Sequence, residues 1–112
     1  DSNRPQRCRA KQVLGVTPSL TAAFAELLVV PAENAVVMEQ SGPIEYGALV
    51  EPLAVGFHAA RQGAVSPNDR VLIVGGGPIG QACLLAARRL GATKVALSEP
   101  DDRRRARASA PR

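Results

Sequence analysis

At 112 residues the chain is one domain at most, or pieces of two. Hydrophobic residues at 46% and charged residues at 21% exclude a disordered chain. The formal net charge of +4 gathers largely in two clusters, Arg4/Arg7/Arg9/Lys11 and Arg103/Arg104/Arg105/Arg107, but Phe24, Tyr46 and Phe57 are the only aromatic residues, so no stacking platform for bases exists and solvated ends, without a nucleic-acid partner, are expected.

Residues 1–12 are polar and carry no periodicity. Val13-Leu14 fits a short strand, and Phe24 to Val30 a second one, closed by Pro31, which cannot donate to a ladder. Ala35 to Met38 reads as a further short strand after a turn at Ala32-Glu33-Asn34. Ser41-Gly42-Pro43 breaks the pattern. From about Ile44 to Arg61 the spacing turns helical, with Tyr46, Leu49, Val50, Leu53, Phe57 and Ala60 on one face. Pro52 is expected to start or kink a helix there, Gly63 to end it, and Ser66-Pro67-Asn68-Asp69 to turn the chain.

Val71-Leu72-Ile73-Val74 is an apolar run without alternation, which suits a parallel strand covered on both faces. Residues 78–90 carry a helical stripe of Ile79, Cys83, Ala86/Ala87 and Leu90, with Pro78 in the first turn and Gly91 as terminator. Cys83, on that stripe, is expected in the core. Val95-Ala96-Leu97 is the next strand, with Glu99 at its end. Asp101 or Asp102 is placed to cap a following helix.

Gly75-x-Gly77-x-x-Gly80, between the apolar strand and the helix opened by Pro78 and Ile79, fits a dinucleotide fingerprint. The first glycine permits a tight turn, the second lets a diphosphate approach the backbone, and the third lets the helix pack on the strand. The helix start then aims unpaired N–H groups and its positive dipole end at the phosphates. Glu99 follows the last glycine at the spacing where an acid accepts hydrogen bonds from the ribose hydroxyls. A carboxylate there repels a 2′-phosphate, so NAD is expected over NADP. Arg103 and Arg104 weigh the other way, because an arginine beside that site accepts the phosphate. The fingerprint alone leaves dehydrogenases, flavoproteins and other nucleotide binders open.

Cys8 and Cys83 make no disulfide framework, which points to a reducing compartment. No secretory leader and no bilayer-length apolar run is visible, so a cytoplasmic location without a membrane partner is expected.

Three stretches, AAFAELLVVPAENAVVM (22–38), YGALVEPLAVGFHAARQGAVSPNDRVLIVGGGPIG (46–80) and GATKVALSEPDDRRR (91–105), together resemble the zinc-containing medium-chain dehydrogenase/reductase family. EPLAVGFHA is most similar to its polyol, butanediol and threonine dehydrogenase branch; the classical alcohol dehydrogenases have a cysteine in place of Glu51. The resemblance implies an α/β chain in which residues 1–44 end a GroES-like catalytic β domain. Residues 45–112 are then an interdomain helix and the first half of a Rossmann-type parallel-sheet domain. It implies reversible hydride transfer between a small secondary alcohol or polyol and NAD, with zinc as Lewis acid, in a longer, homo-oligomeric enzyme of which this chain is an internal segment, inactive alone.

By the same resemblance Glu51 binds the catalytic zinc or its water, and Cys8 is one ligand of a structural zinc. Glu51 also sits in an otherwise apolar stretch, Ala48 to Gly56, where a carboxylate is costly without a cation. The competing view is a plain surface carboxylate. His58, the only histidine, has no second ligand at metal spacing and reads as structural. Two other functions remain open: a non-catalytic nucleotide-binding fragment, and a zinc-free reductase of the same superfamily using NADPH.

Overall fold

The computed structural model describes residues 8–38 and 42–109. Arg4 and Arg7 of the first basic cluster, and Ser41 of the Ser-Gly-Pro break, lie outside the described residues. The chain divides into two compact units, Asp1–Met38 and Glu39–Arg112.

The described backbone hydrogen bonds of the first unit are local. The Val16 and Thr17 N–H groups both donate to the Val13 carbonyl, at 3.1 and 2.8 Å. The Val13 N–H donates to Thr17 Oγ1 at 2.8 Å. The expected turn at 32–34 is a 3₁₀ turn, Ala32–Asn34, closed by the Asn34 N–H on the Pro31 carbonyl at 2.9 Å. The strands expected at 13–14, 24–30 and 35–38 are not formed. A strand exists only as a partner in a ladder that satisfies its N–H and C=O groups. Among the described residues of this unit no neighbouring strand supplies one, and Phe24, Leu27, Val29, Val36 and Val37 stay exposed.

The second unit begins with a 3₁₀ helix, Ile44–Leu49, that runs into helix α1, Val50–Gln62. Pro52 explains the change of winding. It has no N–H to give to the carbonyl four residues back, so it is tolerated in the first turn of α1 and not in a continuous α-helix from Ile44. The expected apolar face is buried only in part. Of its residues Ala60 is buried, together with Gly56, whereas Tyr46, Leu49, Val50, Leu53 and Phe57 are exposed. Small residues let α1 come close to helix α2, Pro78–Arg89: a Cβ on Gly56 would lie 2.5 Å from the Ala82 carbonyl carbon. Val50, Leu53 and Phe57 flank this contact and line an apolar groove between the two helices.

α1 ends in a Schellman arrangement. The Ala64 N–H donates to the Arg61 carbonyl and the Val65 N–H to the Ala60 carbonyl, each at 3.0 Å. Gly63 ends the helix as expected, as its C-cap with φ −74°, and the left-handed residue is Ala64, with φ 51°. α2 ends the same way, and there Gly91, the expected terminator, holds the left-handed position with φ 95°.

Strand β1, Arg70–Val74, and strand β2, Lys94–Ser98, form a two-stranded parallel sheet. The register runs from Arg70 opposite Lys94 to Val74 opposite Ser98. α2 connects the strands and covers the face that carries Ile73. Its own buried residues are Ala82, Leu84, Ala86 and Ala87, while Ile79 is exposed and Cys83 only half-buried. Coverage of both faces, expected for β1, is not reached: Leu72 is 66% and Val74 83% exposed. α1 packs on α2 rather than on that second face. Helix α3, Asp102–Ser109, follows β2. The unit is therefore α/β, with its sheet buried on one side. Among the described residues no helix is long and apolar enough to cross a membrane.

Candidate functional site

The carboxyl ends of β1 and β2 lie side by side, and the chain leaves both of them through loops that meet. Gly75 takes a φ of 102°, which side chains other than glycine rarely adopt, and turns the chain out of β1. Its N–H donates to the Ser98 carbonyl at 2.8 Å, which extends the pairing past the strand. Gly77 is the N-cap of α2 and Pro78 its first residue, where a missing N–H costs nothing. One turn on, a Cβ at Gly80 would overlap the Gly75 carbonyl oxygen. Only glycine lets the helix start press this closely on the strand end. At Gly77 an added Cβ would meet nothing within 4 Å. The turn thus has a packed side at Gly80 and an open side at Gly77, beside the unpaired donors of the helix N-terminus.

Glu99 closes the site from β2. It is only 8% exposed. Its Oε2 accepts the Gly76 N–H at 2.7 Å and its Oε1 the Asp101 N–H at 3.0 Å. The Asp101 N–H, then the Gly76 N–H, hold its carboxyl below the usual carboxylate range. Burial works against this, and the Arg104 guanidinium adds to it. Asp101 caps α3, as one of the two expected residues, by accepting the Arg104 N–H at 2.9 Å on Oδ1. Arg105 ties α3 back to the strand: its Nη1 donates to the Glu99 carbonyl at 2.5 Å and its Nη2 pairs with Asp102.

Two features of this loop were hidden in the spacing. Gly76 is the unassigned glycine between the motif positions, yet a Cβ there would lie 3.0 Å from Glu99 Cγ. Three consecutive glycines, rather than two separated ones, were the signal. Gln81 is the other: its Nε2 donates to the Gly76 carbonyl at 3.0 Å. A long polar side chain in the first turn of α2, ahead of its apolar stripe, was its only trace.

The remaining candidates are not drawn together. Glu51 is exposed in the first turn of α1, so its charge is solvated and the cost argued from its apolar neighbours does not arise. Cys8 is exposed and belongs to the other unit. His58 is exposed on α1. Among the described residues, no group of three or more His, Cys, Asp or Glu side chains is placed to hold a metal ion.

No protein-family model matches the chain. Individual proteins do. It is 40% identical over 97 residues to L-idonate 5-dehydrogenase of Vitis vinifera, a match covering 87% of this chain and 26% of that protein. It is 40% identical over 110 residues to scyllo-inosose 3-dehydrogenase of Thermotoga maritima, covering 90% of this chain and 27% of the other. Sorbitol dehydrogenase of Macaca fascicularis is 51% identical over 55 residues, which are 49% of this chain and 15% of that protein. Over most of its own length the chain is similar to one section of the zinc-type medium-chain dehydrogenases. A solved structure agrees: an Escherichia coli oxidoreductase/dehydrogenase of unknown specificity matches 91% of this chain, and 29% of its own, with a TM-score of 0.85 and 32% identity. The chain spans about a quarter of the length of the curated relatives it matches.

Proposed function

We propose that this chain is the coenzyme-binding segment of an NAD-dependent polyol or alcohol dehydrogenase. The observation that carries the proposal is the joined end of the two strands. A glycine turn is packed tight at Gly80 and open at Gly77, and is hydrogen-bonded to a nearly buried carboxylate, Glu99. In this reading the coenzyme diphosphate lies over Gly77 and the first turn of α2, with Pro78 and Ile79 beside it, and accepts the free N–H groups. Glu99 receives the adenosine ribose hydroxyls. Each carboxylate oxygen already takes one backbone N–H and keeps a second lone pair for a hydroxyl. Its lowered pKa keeps it an acceptor at neutral pH.

The charge of Glu99 opposes a 2′-phosphate, which favours NAD over NADP. Arg104, whose positive charge acts on Glu99, is the residue that would receive such a phosphate in an NADPH-dependent reductase. When bound, the nicotinamide end supplies the hydride acceptor. The residues of this chain bind and orient the adenosine end, and no proton transfer is assigned to them.

The names of the relatives support a polyol or related secondary alcohol as substrate of the longer protein. Within that reading, residues 1–44 end a GroES-like domain and 45–112 open a Rossmann domain, in a cytoplasmic homo-oligomer. The described residues do not make a metal centre by themselves. Glu51 and Cys8 are proposed as single contributors to zinc sites completed by residues outside this chain, and no step is routed through the metal.

The test is a titration of the longer polypeptide with NAD and NADP, followed by a screen of polyols for NAD reduction. Binding of NAD with turnover of a polyol supports the reading. A preference for NADP overturns the assignment of Glu99, and binding without any alcohol turnover favours a non-catalytic nucleotide binder.

A further inference from the structure

We propose that Gln81 is a positioning residue for the coenzyme diphosphate, acting through the peptide between Gly76 and Gly77. The inference rests on the nucleotide reading above. Two peptide planes run through the glycine turn from Gly75 to Gly77, and a different side chain pins each. Glu99 Oε2 accepts the Gly76 N–H at 2.7 Å and so fixes the plane joining Gly75 to Gly76. Gln81 Nε2 donates to the Gly76 carbonyl at 3.0 Å and so fixes the plane joining Gly76 to Gly77.

The peptide bonds here are trans, and a trans peptide is planar with its C=O and N–H pointing opposite ways. Holding the Gly76 carbonyl toward Gln81 therefore turns the Gly77 N–H to the other side. This is the N–H of the N-cap residue of α2, at the position where an added Cβ finds open space. Without the Gln81 amide, glycines on both sides of this peptide leave it free to rotate. The donor would then have to be ordered when the diphosphate arrives, and that cost falls on binding. Gln81 is itself held by its place in α2, where its N–H donates to the Gly77 carbonyl at 3.0 Å. Its side chain lies in a groove with Leu49, Pro52, Leu53, Ala82 and Leu85.

The variant to make is Gln81→Met, which keeps the length and apolar contacts of the side chain and removes the donor. The ligands are NAD, ADP and adenosine, titrated into the longer polypeptide that carries this chain. Loss of one neutral hydrogen bond is expected to weaken NAD and ADP by about three- to tenfold. Adenosine, which has no diphosphate, keeps its affinity, and the ligand-free protein, which already makes this bond, melts only slightly lower. A merely structural role for Gln81 would weaken all three ligands together, and that result overturns the proposal. So does unchanged binding of NAD and ADP to Gln81→Met when the parent binds both; the nucleotide reading then survives alone. A parent protein that binds neither NAD nor ADP removes the nucleotide reading and this inference with it. Amide exchange at Gly77 without ligand gives a second measure: faster exchange in Gln81→Met is expected, and an unchanged rate contradicts the clamp.

Discussion

Replacing Gly80 by alanine separates the packed side of the glycine turn from its open side when it is compared with Gly77→Ala. The new methyl at Gly80 would overlap the Gly75 carbonyl oxygen, which is backbone and cannot swing aside. Non-bonded heavy atoms settle near 3.5 Å, so the start of α2 must withdraw by more than about one ångström. Overpacking of this kind costs about 1–3 kcal/mol of stability. The withdrawal also moves the helix N–H groups out of hydrogen-bond range of a diphosphate. Losing one such charged hydrogen bond, worth about 1.5–3 kcal/mol, weakens the coenzyme by roughly ten- to a hundredfold. At Gly77 the outcome differs. Its φ of −68° suits alanine, and its Cβ would meet nothing within 4 Å. Stability should stay within about 0.5 kcal/mol of the parent, while NAD affinity drops at least about tenfold because the methyl fills the approach path of the phosphates. Denaturant melts and calorimetric titration of the longer polypeptide read both quantities. An unperturbed melt for Gly80→Ala would refute the close approach of helix and strand, and full NAD affinity in Gly77→Ala would refute the placing of the diphosphate.

Three further outcomes follow from the same geometry. The Glu99 carboxyl lies below its ordinary value of 4.5 in the folded chain, so its contribution to stability is complete above about that pH and is lost as pH falls through the lower folded value. Glu99→Gln should flatten this part of the acid limb of a stability–pH curve; an acid limb identical to the parent's contradicts the hydrogen-bonded carboxylate. Ala64→Gly relieves the left-handed conformation at the end of α1, worth about 1–2 kcal/mol, against about 0.4–1 kcal/mol of added unfolded-state entropy, so a net gain of about 0.5–1 kcal/mol is expected in a thermal or denaturant melt. Asp101→Ala removes the α3 cap and should cost about 1 kcal/mol in the same assay, and an unchanged midpoint would show that the cap contributes nothing.

The strand–turn–helix–strand unit was legible because its signals are local. An unbroken apolar run, a proline in the first turn and a glycine after the last one fix β1 and α2 without reference to distant residues. The short strands of residues 13–38 were not, because apolar residues state only a capacity to pair, and a partner strand decides whether the pairing happens. The face of α1 was legible only in part for a related reason. Periodicity found Ala60 but counts mainly large apolar residues, while close helix packing is chosen by small ones, and Gly56 was missed. Glu99 was placed at the end of β2 from its spacing, but its double hold on the Gly76 and Asp101 amides depends on two loops meeting. The Gln81 contact depends on a rotamer that no spacing rule encodes. Glu51 gave the opposite lesson: apolar neighbours in sequence did not mean a buried carboxylate, since a helix turns successive residues to different faces.

The most direct measurement is a calorimetric titration of NAD into the longer polypeptide, run beside Gly77→Ala and Glu99→Gln. A diphosphate held over the glycine turn and a ribose held by Glu99 predict saturable NAD binding that both substitutions weaken. NAD binding that neither substitution touches would put the coenzyme elsewhere and contradict the site described above.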